Sequence, residues 1–276
     1  MHDLPTHATY NTVLSGIFVA GVVTFPALLW FDAPFGRFSR KGWGPKIPGK
    51  LAWMIFETVP VWAVPYFALK YGVRWNRTTV ALLGLWETHY IHRGIIFPFL
   101  APSKAASNIP IILSGITYNL FNAFLQGYSL ATTPYPPLYL TTPTFLLGTL
   151  LFFTGLSINI YSDYHLFHLR RLVSSPSTSS KEKINENDMI TTGEGHHYVI
   201  PKQGLFKSVS CPNYFGEILE WIGWAVACGA TGAGWSFAFY TVANLMPRAI
   251  KTHRWYQSTF GDRYPKDRKA LFPGVI

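Results

Sequence analysis

Long apolar stretches, each interrupted by a few polar side chains, alternate along this chain with short basic or uncharged connections. Seven stretches stand out: Thr12–Phe31, Leu51–Leu69, Thr79–Leu100, Ile109–Leu130, Thr144–Tyr161, Tyr214–Gly232 and Trp235–Ala249. Most have the roughly 20 residues that a helix needs to cross a bilayer, and the last is short. Pro26, Pro60, Pro65 and Pro98 fall inside runs, where membrane helices tolerate them because neighbours resupply the freed backbone groups. The pattern predicts an all-α integral membrane protein, a seven-transmembrane-helix bundle forming a single domain over 1–276. No internal repeat is apparent.

Composition supports this class. Of 276 residues, 49% are apolar, 17% aromatic and only 13% charged, against about 25% charged in soluble domains. The net charge of +10 fits cytoplasmic loops and an anionic ligand, so nucleic acid need not be invoked. Basic residues crowd the first loop (Arg37, Arg40, Lys41, Lys46, Lys50), the stretch from 162 to 213 and the tail, while Ala131–Pro143 carries no charge. Lys70, Arg74 and Arg77 are the exception. The positive-inside rule places the N-terminus in the lumen and the C-terminus in the cytosol. The first run has no basic n-region or cleavage site before it, so it reads as a retained helix. Cys211 and Cys228 give no disulfide framework. Ser174–His197, rich in Ser, Lys, Glu and Asn, reads as a flexible cytosolic loop insertion.

The chemistry lies in the polar residues inside the spans. On a helix, Asn159, Asp163, Leu166 and Arg170 fall within about 60° of arc and rise roughly 16 Å. An amide, a carboxylate and a guanidinium on one face belong to a polar cavity, not to lipid. Glu57 lies six residues into the second run, where a carboxylate is paired, protonated or functional; protonated, it can donate to a substrate oxygen. The third run holds Glu87, His89, Tyr90, His92 and Arg93. Tyr90 could donate to a developing oxyanion or simply pack, and Arg93 could snorkel or bind a phosphate. Asn119, Asn122 and Gln126 share a helix face toward the bundle. Asn213 could cap the sixth helix or, with Tyr198, reach a nucleotide. The tail, with His253-Arg254-Trp255-Tyr256 and Tyr264 to Lys269, could bind lipid headgroups. No GxGxxG follows a strand and no P-loop is present, so a dinucleotide site must be built between helices. The histidine pairs do not converge as a ligand set, and no metal is expected.

These residues fall in motifs that resemble the steroid 5α-reductases (3-oxo-5α-steroid 4-dehydrogenases): HYIHR at 89–93, FLQGY at 124–128, GLSINIYSDYHLFHLR at 155–170, IPKQGLFKSVSCPNYFGEILEWIG at 200–223 and HRWYQSTFGDRYPKDRKALFP at 253–273. The resemblance covers most of the chain from Trp53 onward. It implies seven helices in the endoplasmic reticulum membrane, with a catalytic region over about 110–276 and NADPH entering from the cytosol; the protein is separately expected to be a monomer. It implies reduction of the 4,5 double bond of a 3-oxo-4-ene steroid, with Glu57 and Tyr90 holding the 3-keto oxygen. Asn159, Asp163, Arg170, Tyr198, Asn213 and Tyr256 would contact NADPH, and Arg93 and Arg268 would face its phosphates. Trp53, Phe56, Glu217 and Trp221 would line the substrate pocket. The chain departs from the family pattern at Phe56, where Gln is frequent, by an extra residue between Glu57 and Pro60, at Gln203 in a glycine turn, and at Ala123. A related reductase of trans-2-enoyl-CoA or polyprenyl substrates, a non-catalytic scaffold and a membrane methyltransferase are the alternatives.

Overall fold

The computed structural model describes residues 4–31, 44–102, 105–174, 185–192 and 197–276. Nine α-helical segments lie among them: α1 (Leu4–Trp30), α2 (Gly49–Glu57), α3 (Val59–Lys70), α4 (Arg77–Ile91), α5 (Phe97–Leu100), α6 (Ile109–Thr132), α7 (Pro143–Ser174), α8 (Pro212–Ala227) and α9 (Gly232–Phe260). A π-helical turn, His92–Ile96, joins α4 to α5. Each of the seven apolar runs therefore corresponds to one helical rod, two of them broken. Thr6–Trp30, Gly49–Lys70 and Pro143–Ser174 are long and apolar enough to cross a membrane. Arg37, Arg40, Lys41, Lys104, Lys181 and Lys183 lie outside the described residues.

Both breaks follow from proline. Pro60 has no N–H, so the Phe56 carbonyl loses its helical donor; Asn119 Nδ2 of α6 supplies a replacement at 2.7 Å. The rod consequently breaks at Thr58, directly after Glu57. Pro98 likewise cannot donate across the π turn to the Arg93 carbonyl, which accepts from Trp53 Nε1 at 3.0 Å. The two breaks meet at Gly94, where an added Cβ would lie 2.9 Å from the Glu57 carbonyl oxygen. Asn76 starts α4 as a capping box with Thr79.

Helices α7 and α8 pack backbone to backbone. A Cβ on Gly155 would collide with the Glu220 backbone nitrogen, and one on Gly216 would lie 2.6 Å from that of Asn159. Both α7 and α9 run past their apolar stretches, to Ser174 and Phe260, because hydropathy marks where apolar surroundings end, not where the helix ends. Part of the stretch expected to be a flexible insertion is regular structure. Ser174 closes α7, and β1 (Met189–Thr191) pairs antiparallel with β2 (His197–Val199). Ile190 explains this, since it packs with Ile200, Phe260 and Tyr264. Residues 175–184 and 193–196 lie outside the described part. A parallel bridge between Val209 and Lys269 straps the C-terminal segment against the approach to α8. Gln203 is extended, with φ −92°, so this turn position does not require glycine.

Candidate active site

The close approach of α7 and α8 brings the predicted polar stripe into contact with groups far away in sequence. Asn159 Nδ2 donates to the Asn213 carbonyl at 3.0 Å and to Glu217 Oε2 at 3.2 Å. Asn213 Nδ2 donates to Asp163 Oδ1 at 2.9 Å. Asn213 is therefore not the helix cap: Cys211 occupies that position. Arg93, from the π turn, donates through Nη1 to Asp163 Oδ2 at 2.8 Å and through Nη2 to Glu217 Oε2 at 3.4 Å. Arg93 neither snorkels nor faces solvent; it is buried between two carboxylates and lies 4.9 Å from the Trp53 ring and 4.5 Å from that of Phe97. Glu217, expected in the substrate pocket, belongs to this polar cluster.

Glu57 stands at the edge of the same cluster. It ends α2 against Gly94, within electrostatic reach of Arg93 and Tyr90. Tyr90 is buried in an aromatic box, with ring centroids 4.8 Å from Trp86 and 5.7 Å from Trp221. Trp53 and Phe56 pack together at 5.3 Å. Three of the expected pocket residues, Trp53, Phe56 and Trp221, thus surround the Glu57–Tyr90–Arg93 region.

A second group gathers where the C-terminal strap meets the hairpin. Tyr256 stacks on Tyr264 at 5.3 Å with 12° between planes, and Tyr198 meets Trp255 edge-on at 4.8 Å. Arg268 is buried, donates to the Tyr264 hydroxyl at 3.4 Å and lies 4.9 Å from that ring. Its Nε is buried without a partner among the described residues. Ser210 ties the group together, lying 2.6 Å from both His253 Nδ1 and the Tyr264 hydroxyl. Burial, then the charges of Arg268 and Lys269, hold His253 below its ordinary value near 6.5. Arg170, about two helical turns beyond Asp163, is exposed and belongs to neither group.

One pair escaped sequence reasoning. Glu220, fully buried, meets His89 Nδ1 at 2.8 Å, and His89 lies edge-on to Trp221 at 4.5 Å. The only signal was a carboxylate within the apolar stretch Ile218–Trp221; its partner is 131 residues away. Tyr164 likewise meets His92 Nε2 at 2.8 Å. Among the described residues, no three of His, Cys, Asp and Glu are grouped as a metal site, and Cys211 and Cys228 are not joined in a disulfide.

A polar helix-lined site with a buried arginine and a basic, aromatic strap can be set beside known proteins. A family model described as 3-oxo-5-alpha-steroid 4-dehydrogenase matches residues 105–276. The steroid 5-alpha-reductase DET2 of Arabidopsis thaliana is 34% identical over the whole of both chains. The 3-oxo-5-alpha-steroid 4-dehydrogenase 2 of Macaca fascicularis is 37% identical over 96% of this chain and 97% of its own. The bovine (Bos taurus) 3-oxo-5-alpha-steroid 4-dehydrogenase 1 is 33% identical over 93% of each. The match takes in both arms of the polar cluster and the strap, and full-length relatives add α2 and α4: the chain belongs to the 3-oxo-5-alpha-steroid 4-dehydrogenase family of oxidoreductases.

Proposed function

We propose that the protein is an NADPH-dependent membrane reductase that saturates the 4,5 double bond of 3-oxo-4-ene steroids to give 5α-steroids. The observation that carries this reading is that Glu57 lies within electrostatic reach of both Tyr90 and Arg93, beside the Arg93–Asp163–Glu217 cluster. A carbonyl site thereby adjoins a site rich in donors for an anionic cofactor.

The residues fit such a cofactor. Arg93, with Asn159, Asp163 and Asn213, supplies a fixed set of polar groups. Arg268 has a buried N–H without a described partner, as a phosphate-facing guanidinium would. Tyr198 and Tyr256 supply flat aromatic surface, and Arg170 stands at the exposed end of α7. Bound there, NADPH supplies the hydride. Glu57 and Tyr90 would each donate a hydrogen bond to the 3-keto oxygen, which gains negative charge as C5 receives the hydride. Protonation at C4 completes the saturation. Trp53, Phe56 and Trp221 would exclude water from this region and pack on the flat steroid. Glu217, rather than lining the steroid, would hold Arg93 and Asn159 in place.

The three apolar helical segments support a membrane setting. We read all seven rods as spanning the endoplasmic reticulum membrane, with the N-terminus lumenal, the C-terminus cytosolic and the protein acting as a monomer. The deciding experiment supplies microsomes expressing the chain with NADPH and a panel of 3-oxo-4-ene steroids. The expected product is the 5α-steroid, formed about 10²–10³ more slowly when either donor is removed by Glu57→Leu or Tyr90→Phe. Full rates in both variants would refute the donor assignment. Consumption of a trans-2-enoyl-CoA or a polyprenyl enone, with every steroid left untouched, would move the activity to another lipid.

A further inference from the structure

Tyr90 is aimed by its neighbours more than by its own helix. The regular hydrogen-bond ladder of α4 ends at Ile91, and the π turn opens at His92. Such turns widen the ladder and are frequent at functional sites. Three rings meet Tyr90: Trp86 at 4.8 Å, Trp221 at 5.7 Å and His89 at 4.9 Å with 75° between planes. Rings supply shape, so the aim of the Tyr90 hydroxyl depends on how firmly each ring is held. Trp86 is tied through Nε1 to the Pro60 carbonyl at 3.3 Å. His89 is tied by Glu220, with 2.8 Å between Nδ1 and Oε1. Glu220 precedes Trp221, and its backbone lies on the α7–α8 seam at Gly155. One residue thus links the seam, the imidazole and the neighbouring indole.

A carboxyl–imidazole pair buried among indoles adds little stability. Apolar side chains of similar volume serve packing as well or better. Nor is the pair a closed network, because Glu220 Oε2 is buried without a partner among the described residues. What the bond supplies is direction. Apolar contact lets a ring turn, whereas a hydrogen bond at Nδ1 fixes which edge of the imidazole faces Tyr90. Glu220 is also within electrostatic reach of Tyr90 itself.

We propose that Glu220 is a positioning residue for the reduction, acting through His89 to hold the Tyr90 hydroxyl toward the substrate carbonyl. In this role Glu220 touches neither substrate nor cofactor. The inference rests on the carbonyl-donor reading of Tyr90 above. Glu217, three residues earlier, bonds to Arg93 and Asn159 on the cofactor side. Neighbouring turns of α8 therefore steady both halves of the site, one through a guanidinium and one through an imidazole.

Full-length protein in microsomes is assayed with NADPH and the 3-oxo-4-ene steroid it reduces fastest. Glu220→Leu should lower kcat by about ten- to a hundredfold, as misplacing a reacting group by about 1 Å does, with KM for NADPH unchanged. Glu220→Gln should keep most of the rate, because an amide can bond to Nδ1 as donor or as acceptor. In a Tyr90→Phe background Glu220→Leu should cost nothing further, since the two residues act as one unit. A merely structural residue would slow both backgrounds by the same factor, and that outcome overturns the proposal. So does a raised KM for NADPH with kcat intact. Should Glu220→Leu fail to fold, combining it with His89→Leu gives an apolar pair expected to melt no lower than the wild type yet to remain slow. A rate that returns with stability refutes the assignment. If the wild type reduces no steroid, the reductase reading falls on its own, and 3-fluorotyrosine in place of Tyr90 then reports the ring directly. Its fluorine resonance should be single in the otherwise unchanged chain and broadened or split by Glu220→Leu; identical spectra overturn the positioning role.

Discussion

Arg93 holds much of the site's buried charge in balance. Its guanidinium lies between Asp163 and Glu217, so removing it leaves the buried Asp163 and the half-buried Glu217 without their cation. Breaking a buried pair from one side costs about 3–5 kcal/mol. Arg93→Gln is expected to show a loss of that order in detergent unfolding, with Arg93→Lys losing less because it keeps the charge but not the fork. Equal melting of wild type and Arg93→Gln would show that the carboxylates do not depend on it. Much at this scale was legible beforehand. Asn159 and Asp163 announce a shared face by their four-residue spacing, and Glu57 and Tyr90 stand out because polar groups inside apolar runs are expensive. Their partners were not legible. Asn213 and Glu217 lie 50 and 58 residues from Asp163 and Asn159, and spacing on one helix says nothing about which second helix approaches it. Arg170 shows the converse, since its place on the stripe was legible yet the stripe outlasts the site.

At the scale of elements, two rods are held by side chains at the point where a proline takes away a backbone donor. Asn119→Leu should leave the Phe56 carbonyl buried and unbonded, at a cost of about 1–3 kcal/mol. Glu57 is the next residue, so the substitution should also raise the steroid KM more than the NADPH KM. Adding Pro60→Ala restores an N–H at the break and is expected to recover stability in the double variant, though with the carboxyl re-aimed and the activity still low. Failure of Pro60→Ala to rescue Asn119→Leu would mean that the amide does something other than replace the missing donor. Hydropathy found the rods because burial in apolar surroundings sets their composition. It could not place the breaks, since Pro60 and Pro98 interrupt the hydrogen-bond ladder without interrupting the apolar pattern. It also missed Ile190, whose strand is three residues long and gains its place from contacts with α9 rather than from its own neighbours.

Across the whole molecule, the polar end of α9, past its apolar stretch and packed against the C-terminal strap, titrates. His253 is held below its ordinary value near 6.5, so the unfolded chain takes up this proton first as pH falls. Its contribution to stability is complete above about 6.5 and is lost as pH drops below that value. The melting temperature of the wild type should therefore fall on acidification more steeply than that of His253→Gln, and parallel curves would exclude His253 as the source. The seam between α7 and α8 has a different reach. Gly155 and Gly216 let backbone meet backbone, so the alignment of Asn159 and Asp163 with Asn213 and Glu217 is set by the helices themselves and not by the segment joining them. Covalent continuity between Ser174 and Asn185 is then dispensable. Two separately encoded halves, one ending and the other beginning within 175–184, should find each other when produced together and regain reductase activity. The same halves carrying Gly155→Leu should remain apart, a difference that co-purification would reveal.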